Sequence, residues 1–174
     1  AIRRIHMKKT NKHNCHPGVI YSLTVARLSL GFVFLWAFFD KLFGFGIATP
    51  AARAWVQGGS PTSGFLSGVN GPFQELFAGL VGVVWVDWLF MMGLLGIGLA
   101  LILGVGLKIA AVSGSILFIT MWAAALPLKT NPIIDDHIIY ATILIALAYQ
   151  DTHPLSLRPF MQKIGFVKKN SWLL

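Results

Sequence analysis

Few residues of this chain can do chemistry, and most of them stand at the ends of apolar runs. The densest group is Asn131-Pro132-Ile133-Ile134-Asp135-Asp136-His137, with Tyr140 three residues further on. Residues three apart share a helix face, so acid, histidine and phenol fall within about one turn. Histidine exchanges protons near neutral pH, and such a set can relay them. Capping explains one of the acids, because Asp135 or Asp136 can close a helix N-terminus and is favoured there by the dipole. It does not explain both acids with His137 and Tyr140. Asp135, Asp136, His137 and Tyr140 are therefore the candidate catalytic residues.

A second set consists of single charges. Asp40-Lys41 ends the first apolar run, either as a helix-end charge pair or as part of a site. Asp87 opens another run, and Glu75 sits near the start of a shorter one. Arg27 lies about 8 residues, or ~12 Å, inside the first run. A charge at that depth costs ~2.5 kcal/mol or more. It either faces the bundle, where it would bind an anionic or carbonyl oxygen, or snorkels back to the headgroups. Arg27, Asp40, Lys41, Glu75 and Asp87 are the candidate binding residues. His13-x-Cys15-His16 is too tightly spaced for a structural zinc site and lacks a fourth ligand. With a single cysteine the chain can form neither an intrachain disulfide nor a cysteine-ligated cluster. No metal site and no covalent cofactor are expected.

The elements that must position these residues are membrane helices. Of 174 residues, 56% are hydrophobic and 11% charged, with mean hydropathy +0.71. So little charge cannot cover a soluble globule. The net charge of +8 is concentrated at the two ends, with only Arg27, Lys41, Arg53, Lys108 and Lys129 between Ile20 and Gln150. That excludes a nucleic-acid stripe and reads as membrane topology. A span needs about 20 apolar residues. Four candidates follow: Val19–Phe39, Trp88–Leu107, Ile109–Leu128 and the short Asp136–Tyr149. Lys108 marks a tight hairpin between the second and third. The basic stretch before Val19 imitates a signal peptide, but the apolar run is too long and reads as a retained helix. Met7 opens like a natural start, so nothing is built on residues 1–6.

Both tails and the Lys108 turn carry ten basic residues, against three (Lys41, Arg53 and Lys129) on the opposite side. The positive-inside rule then places both termini in the cytoplasm. The expected organisation is a basic tail over 1–18, a four-span membrane domain over 19–150 and a second basic tail over 151–174. Between spans one and two, residues 57–72 read as loop. Phe73–Val86 reads as an interfacial or re-entrant helix opened by Pro72, with Trp55, Trp85 and Trp88 at headgroup depth. Small residues at Gly96, Ala100 and Gly104, and at Ala110 with Gly114, read as helix-packing stripes. The expected fold is thus an all-α, integral membrane four-helix bundle with an extra outer helix. Span one should pack beside span four, so that Asp40, Lys41, Asp135, Asp136 and His137 line one polar pocket under Phe73–Val86.

Three blocks resemble the DoxX/DoxD family of small four-helix membrane proteins. They are Arg27–Trp36 leading to Asp40-Lys41-Leu42-Phe43-Gly44, then Trp88–Lys108, then Asn131–Ala141. Their order and spacing cover about residues 20–150, and Lys108 stands where the family often has Arg. The resemblance implies a multi-pass protein of the cytoplasmic membrane. It also implies, for one branch, the large subunit of thiosulfate:quinone oxidoreductase, which oxidises thiosulfate to tetrathionate and reduces a membrane quinone. Arg27 or Lys41 would then hold an anion or polarise a quinone carbonyl, and the Asp135–Tyr140 cluster would supply protons. Expected partners are the lipid bilayer and a small partner subunit or redox partner protein, with a homo-oligomer also open. Two other functions stay open: a non-catalytic scaffold for a redox or thiol-stress complex, and a small-molecule carrier.

Overall fold

The computed structural model describes residues 16–129, 131–150 and 153–163. Among them every regular element is helical. α1 is Pro17–Phe43, α2 Ser63–Leu66, α3 Gln74–Ala78, α4 Val84–Leu103, α5 Leu107–Ala125, α6 Asp136–Ala148 and α7 Arg158–Met161, with 3₁₀ turns at Ala51–Arg53 and Trp55–Gln57. Helix ends follow local chemistry. The Nδ1 of His16 accepts the Gly18 N–H at 3.2 Å ahead of Pro17. Gly44, in the left-handed region, ends α1 by donating its N–H to Asp40 O at 2.7 Å. Of the N-terminal His-Cys-His triplet, only His16 lies within the described residues, and it serves as this cap.

The α4–α5 hairpin turns on Gly104 and Gly106, with φ of 66° and 69°. This corrects the expected boundaries, because the paired left-handed glycines set the turn and Lys108 falls inside α5. α4 correspondingly begins four residues early, at Val84.

α1, α4, α5 and α6 form a closed ring, each packed on the next and α6 on α1. The core between them contains Phe34, Met91, Ile97, Leu101, Phe118 and Leu144. Close approach depends on three glycines. A Cβ on Gly31 would lie 2.9 Å from the Ile102 side chain, one on Gly98 2.8 Å from Leu35, and one on Gly114 2.5 Å from Leu144. Of the expected stripe, Gly104 is the α4 cap and Gly96 meets no atom within 4 Å.

Phe32, Leu89, Met92, Val112 and Ile116 are exposed on the outside of the ring. Such apolar faces require lipid. α1, α4 and α5 are each long and apolar enough to cross a membrane. α6 has 13 residues, about 20 Å, and Ser115 Oγ of α5 donates to its Ala141 O (3.4 Å), while Trp122 Nε1 of α5 donates to Ile133 O (2.8 Å) in the segment leading into it. The start of α1, the α4–α5 turn and the end of α6 share one end of the bundle, the tail end. Residues 44–83 cover the other, the loop end.

Phe73–Val86 is not one helix. α3 supplies one turn, Gly79 and Gly82 interrupt it, and Val84–Val86 are the first turn of α4. The segment packs instead through Phe77, Leu80 and Val86, which cluster with Leu66, Val69 and, from α5, Ala124. Trp55 and Trp88 meet edge-on, with centroids 4.7 Å apart.

Candidate functional site

The loop end is organised by Asp87. Its position in the first turn of α4 suits an acid, and its side chain is buried. Oδ1 accepts from Ser60 Oγ (2.9 Å), Thr62 Oγ1 (2.5 Å) and the Thr62 N–H (3.2 Å). Ser60 Oγ in turn accepts from Ser63 Oγ at 2.7 Å, and Ser63 Oγ accepts the Gly82 N–H at 3.2 Å. One carboxylate therefore ties the chain around residue 60 to α4 and to the turn before it. Sequence reasoning passed over Ser60, Thr62 and Ser63 as loop. Nothing in their spacing shows a partner more than twenty residues away.

The side chains tied to Asp87 border two adjoining cavities, Ser60 and Ser63 the first and Thr62 the second. A polar one of about 540 Å³ is lined by Lys41, Arg53, Thr49, Ser60, Ser63 and Ser67, among others. An apolar one of about 350 Å³ is lined by Phe65, Leu66, Phe77, Leu80, Phe90 and others. They share Lys41, Pro61 and Phe65. The Lys41 ammonium lies 5.8 Å from the Phe90 ring centroid, within reach of cation–π attraction. Arg53, in sequence only a topological charge, is the second cation of the polar cavity. Asp40 is buried, and neither carboxylate oxygen has a hydrogen-bond partner. It lines a third, smaller cavity with Trp36, Ala48 and again Lys41. Glu75 is exposed on α3 and lines none of these.

Arg27 faces inward and is fully buried. Its guanidinium donates to Leu101 O, to Ile102 O (3.1 Å), to Pro154 O (2.9 Å) and to Leu155 O (3.0 Å). The first two are α4 carbonyls left over at its C-terminus. The oxygens this arginine binds are the chain's own.

Asp135 caps α6. Oδ1 accepts the N–H groups of His137 (3.1 Å) and Ile138 (3.4 Å), and Oδ2 lies 2.7 Å from His137 Nδ1. Desolvation acts to raise its carboxyl. The His137 side chain and the two backbone N–H groups outweigh that and hold it below the ordinary range. His137 and Tyr140 both lean on Phe118, at 6.1 and 5.4 Å between centroids. They share a face as expected, although among the described residues no hydrogen bond joins them. Asp135, Asp136 and His137 lie within 4.8 Å of one another, but Asp135 already uses both oxygens and Asp136 is exposed.

α1 does pack beside α6. Even so, none of these three cavities lined by Lys41 includes a residue of 131–140. The expected single pocket is therefore two places: the Lys41 cavities beside α4, and the Asp135–His137 pair against Phe118.

The Asp135 cap has a measurable consequence. Asp135→Ala should lower stability by ~1 kcal/mol at neutral pH. Because folding depresses this carboxyl, its contribution is complete above the unfolded value of 3.8 and is lost as pH falls through the folded one. Thermal midpoints of the two proteins should differ at pH 7 and converge in acid. A difference independent of pH would remove the charged cap from the account.

The fold and its lipid-facing surface define an integral membrane helical bundle with a cationic cavity beneath its loop end. Comparison with known proteins found no matching family model, no matching curated protein and no matching solved structure.

Proposed function

We propose that this chain is a DoxX-like subunit of a quinone-linked oxidoreductase acting on thiosulfate or a related sulfur oxoanion. Its place would be the cytoplasmic membrane, with four spans, both termini cytoplasmic and the loop end facing outward. The observation that carries the reading is Lys41 in the wall common to a polar cationic cavity and an apolar one. An oxoanion suits the first, where Lys41, Arg53 and hydroxyls offer charge-assisted hydrogen bonds. A quinone ring suits the second, a mostly apolar cavity whose hydroxyls at Thr62, Ser113 and Thr120 donate within the chain and whose ammonium can polarise a carbonyl. The three DoxX-like blocks and the ten-to-three distribution of basic residues support family and orientation respectively.

The electron count closes without a resident redox centre. Two thiosulfates give up one electron each as their sulfurs join in tetrathionate, and the quinone takes both electrons with two protons to become quinol. Asp40, buried next to Lys41, is the carboxyl nearest the shared wall in sequence. The Asp135–His137 pair would exchange protons with the medium.

The test is quinone reduction by the purified protein, with any co-purifying subunit, in the presence of thiosulfate. A charged hydrogen bond contributes ~1.5–3 kcal/mol, so Lys41→Gln should cut kcat/KM by roughly 10–100-fold. Arg53→Gln should chiefly raise the KM for the oxoanion. Native mass spectrometry that finds a partner protein but no quinone, together with no turnover, would favour the scaffold and end the enzyme reading.

A further inference from the structure

Gly93 and Gly96 differ from the other helical glycines of the bundle. Where Gly31, Gly98 and Gly114 admit a neighbouring helix, a Cβ on Gly93 or Gly96 would meet nothing within 4 Å. Their absent side chains leave a furrow between α4 and α5. A cavity of about 270 Å³ there is lined by Gly93, Gly96, Ile97, Ala100, Gly106 and Ser113, among others. It shares Gly93, Ile97 and Ser113 with the apolar chamber under the loop. The furrow therefore runs from near the tail-end turn, along the lipid face, into a chamber that ends at Lys41.

In a bilayer such a furrow is filled either by a chain or by a helix of a second copy. Its far end argues for the chain. That end lies under Phe65, Leu66, Phe77 and Leu80 of the same molecule. A helix about 10 Å across cannot enter there, whereas a flat head followed by a flexible tail can. The ammonium at the end of a mostly apolar track, whose hydroxyls at Thr62, Ser113 and Thr120 donate within the chain, matches a head that accepts hydrogen bonds.

We infer that the α4–α5 furrow holds the apolar tail of a long-chain amphiphile whose head lies beside Lys41. That the head is a quinone rests on the function proposed above. That a tail lies along Gly93 and Gly96 rests on the furrow itself.

Gly96→Leu fills the furrow. Gly96 has ordinary helical backbone and open space before it, so the variant should keep its thermal midpoint. The full chain in phosphatidylcholine nanodiscs is titrated with a decyl-tailed benzoquinone and with the same ring lacking a tail, read by quenching of tryptophan fluorescence. Comparing wild type with variant at equal lipid cancels partition of the tail into the bilayer. Wild type should bind the tailed quinone at least about tenfold tighter than the ring, and Gly96→Leu should remove that advantage while leaving the ring unchanged.

Absence of a tail preference in wild type, or equal loss for both ligands in the variant, overturns the inference. So does a variant that only converts a dimer to a monomer, since the furrow then belongs to a second copy. Decanoate separates the two readings. If it binds in a Gly96-dependent way and neither quinone binds, the quinone reading fails and the tail site stands. If decanoate also fails to bind, both fall.

Discussion

Arg27→Met should cost the bundle ~3–5 kcal/mol, because several hydrogen bonds from a charged donor, each contributing ~1.5–3 kcal/mol, are lost and only partly offset by the desolvation the buried guanidinium no longer suffers. The methionine keeps much of the apolar volume but none of the donors. Leu101 and Ile102 at the end of α4, and Pro154 and Leu155 in the segment beyond α6, would lose the guanidinium that joins them. Each acceptor stranded away from water costs ~1–3 kcal/mol. For a chain of this size the thermal midpoint should fall by about 10 °C. Amide exchange at Leu157 should also accelerate, because residues 154–157 are tied to the tail end through Arg27 and through Leu157 N–H donating to Leu103 O at 2.8 Å. Arg27→Lys retains the charge but lacks the planar fork that reaches two pairs of carbonyls, so it should recover only part of the loss. An unchanged midpoint in Arg27→Met would mean that lipid or water replaces the guanidinium without cost.

Asp87→Ala should release the loop from the bundle. Three donors converge on one carboxylate oxygen, two of them from the buried Thr62. Hydrogen bonds to a charged acceptor contribute more than neutral ones, and the substitution removes that acceptor from all three donors. A loss of ~2–4 kcal/mol follows, confined to the loop end. Amide exchange at Thr62–Leu66 should accelerate, while α5 and α6 stay protected. The cavity walls formed by Ser60, Pro61 and Phe65 would move with the loop, so binding beside Lys41 should weaken although no residue that touches the ligand has been changed. Asp87→Asn keeps one acceptor oxygen and should fall between the two. Accelerated exchange along the whole of α4 would instead assign Asp87 to the bundle core.

The two arginines show how far one-dimensional reasoning reaches. The cost of burying charge was enough to mark Arg27 as facing either the bundle or the headgroups. It could not name oxygens 74 to 128 positions away. Arg53 drew attention only as a topological charge, because its role depends on residues 60–67 folding back over it. An acidic cap at Asp135 or Asp136 was legible because capping is local, with donor and acceptor within three residues, and the structure assigns it to Asp135. Asp40 and Lys41 were correctly placed at the end of a helix. Their separation from His137 was not foreseen, since it depends on which side of α1 faces α4 and which faces α6.

By itself the sequence determined that this is an all-helical membrane protein, where its long apolar helices run to within a few residues, and that α6 opens on a capping acid. These are consequences of transfer free energy and of contacts a few residues long, both of which act along the chain. Only the tertiary structure decided which small residues admit a neighbouring helix and which face lipid. Spacing of four marks a stripe on a helix, but the rotation of that helix about its axis determines what the stripe meets. Gly98 and Gly96 are two residues apart on α4, about 200° around the axis. One packs against Leu35 and the other faces open space, and that difference makes a furrow where sequence alone suggested an interface.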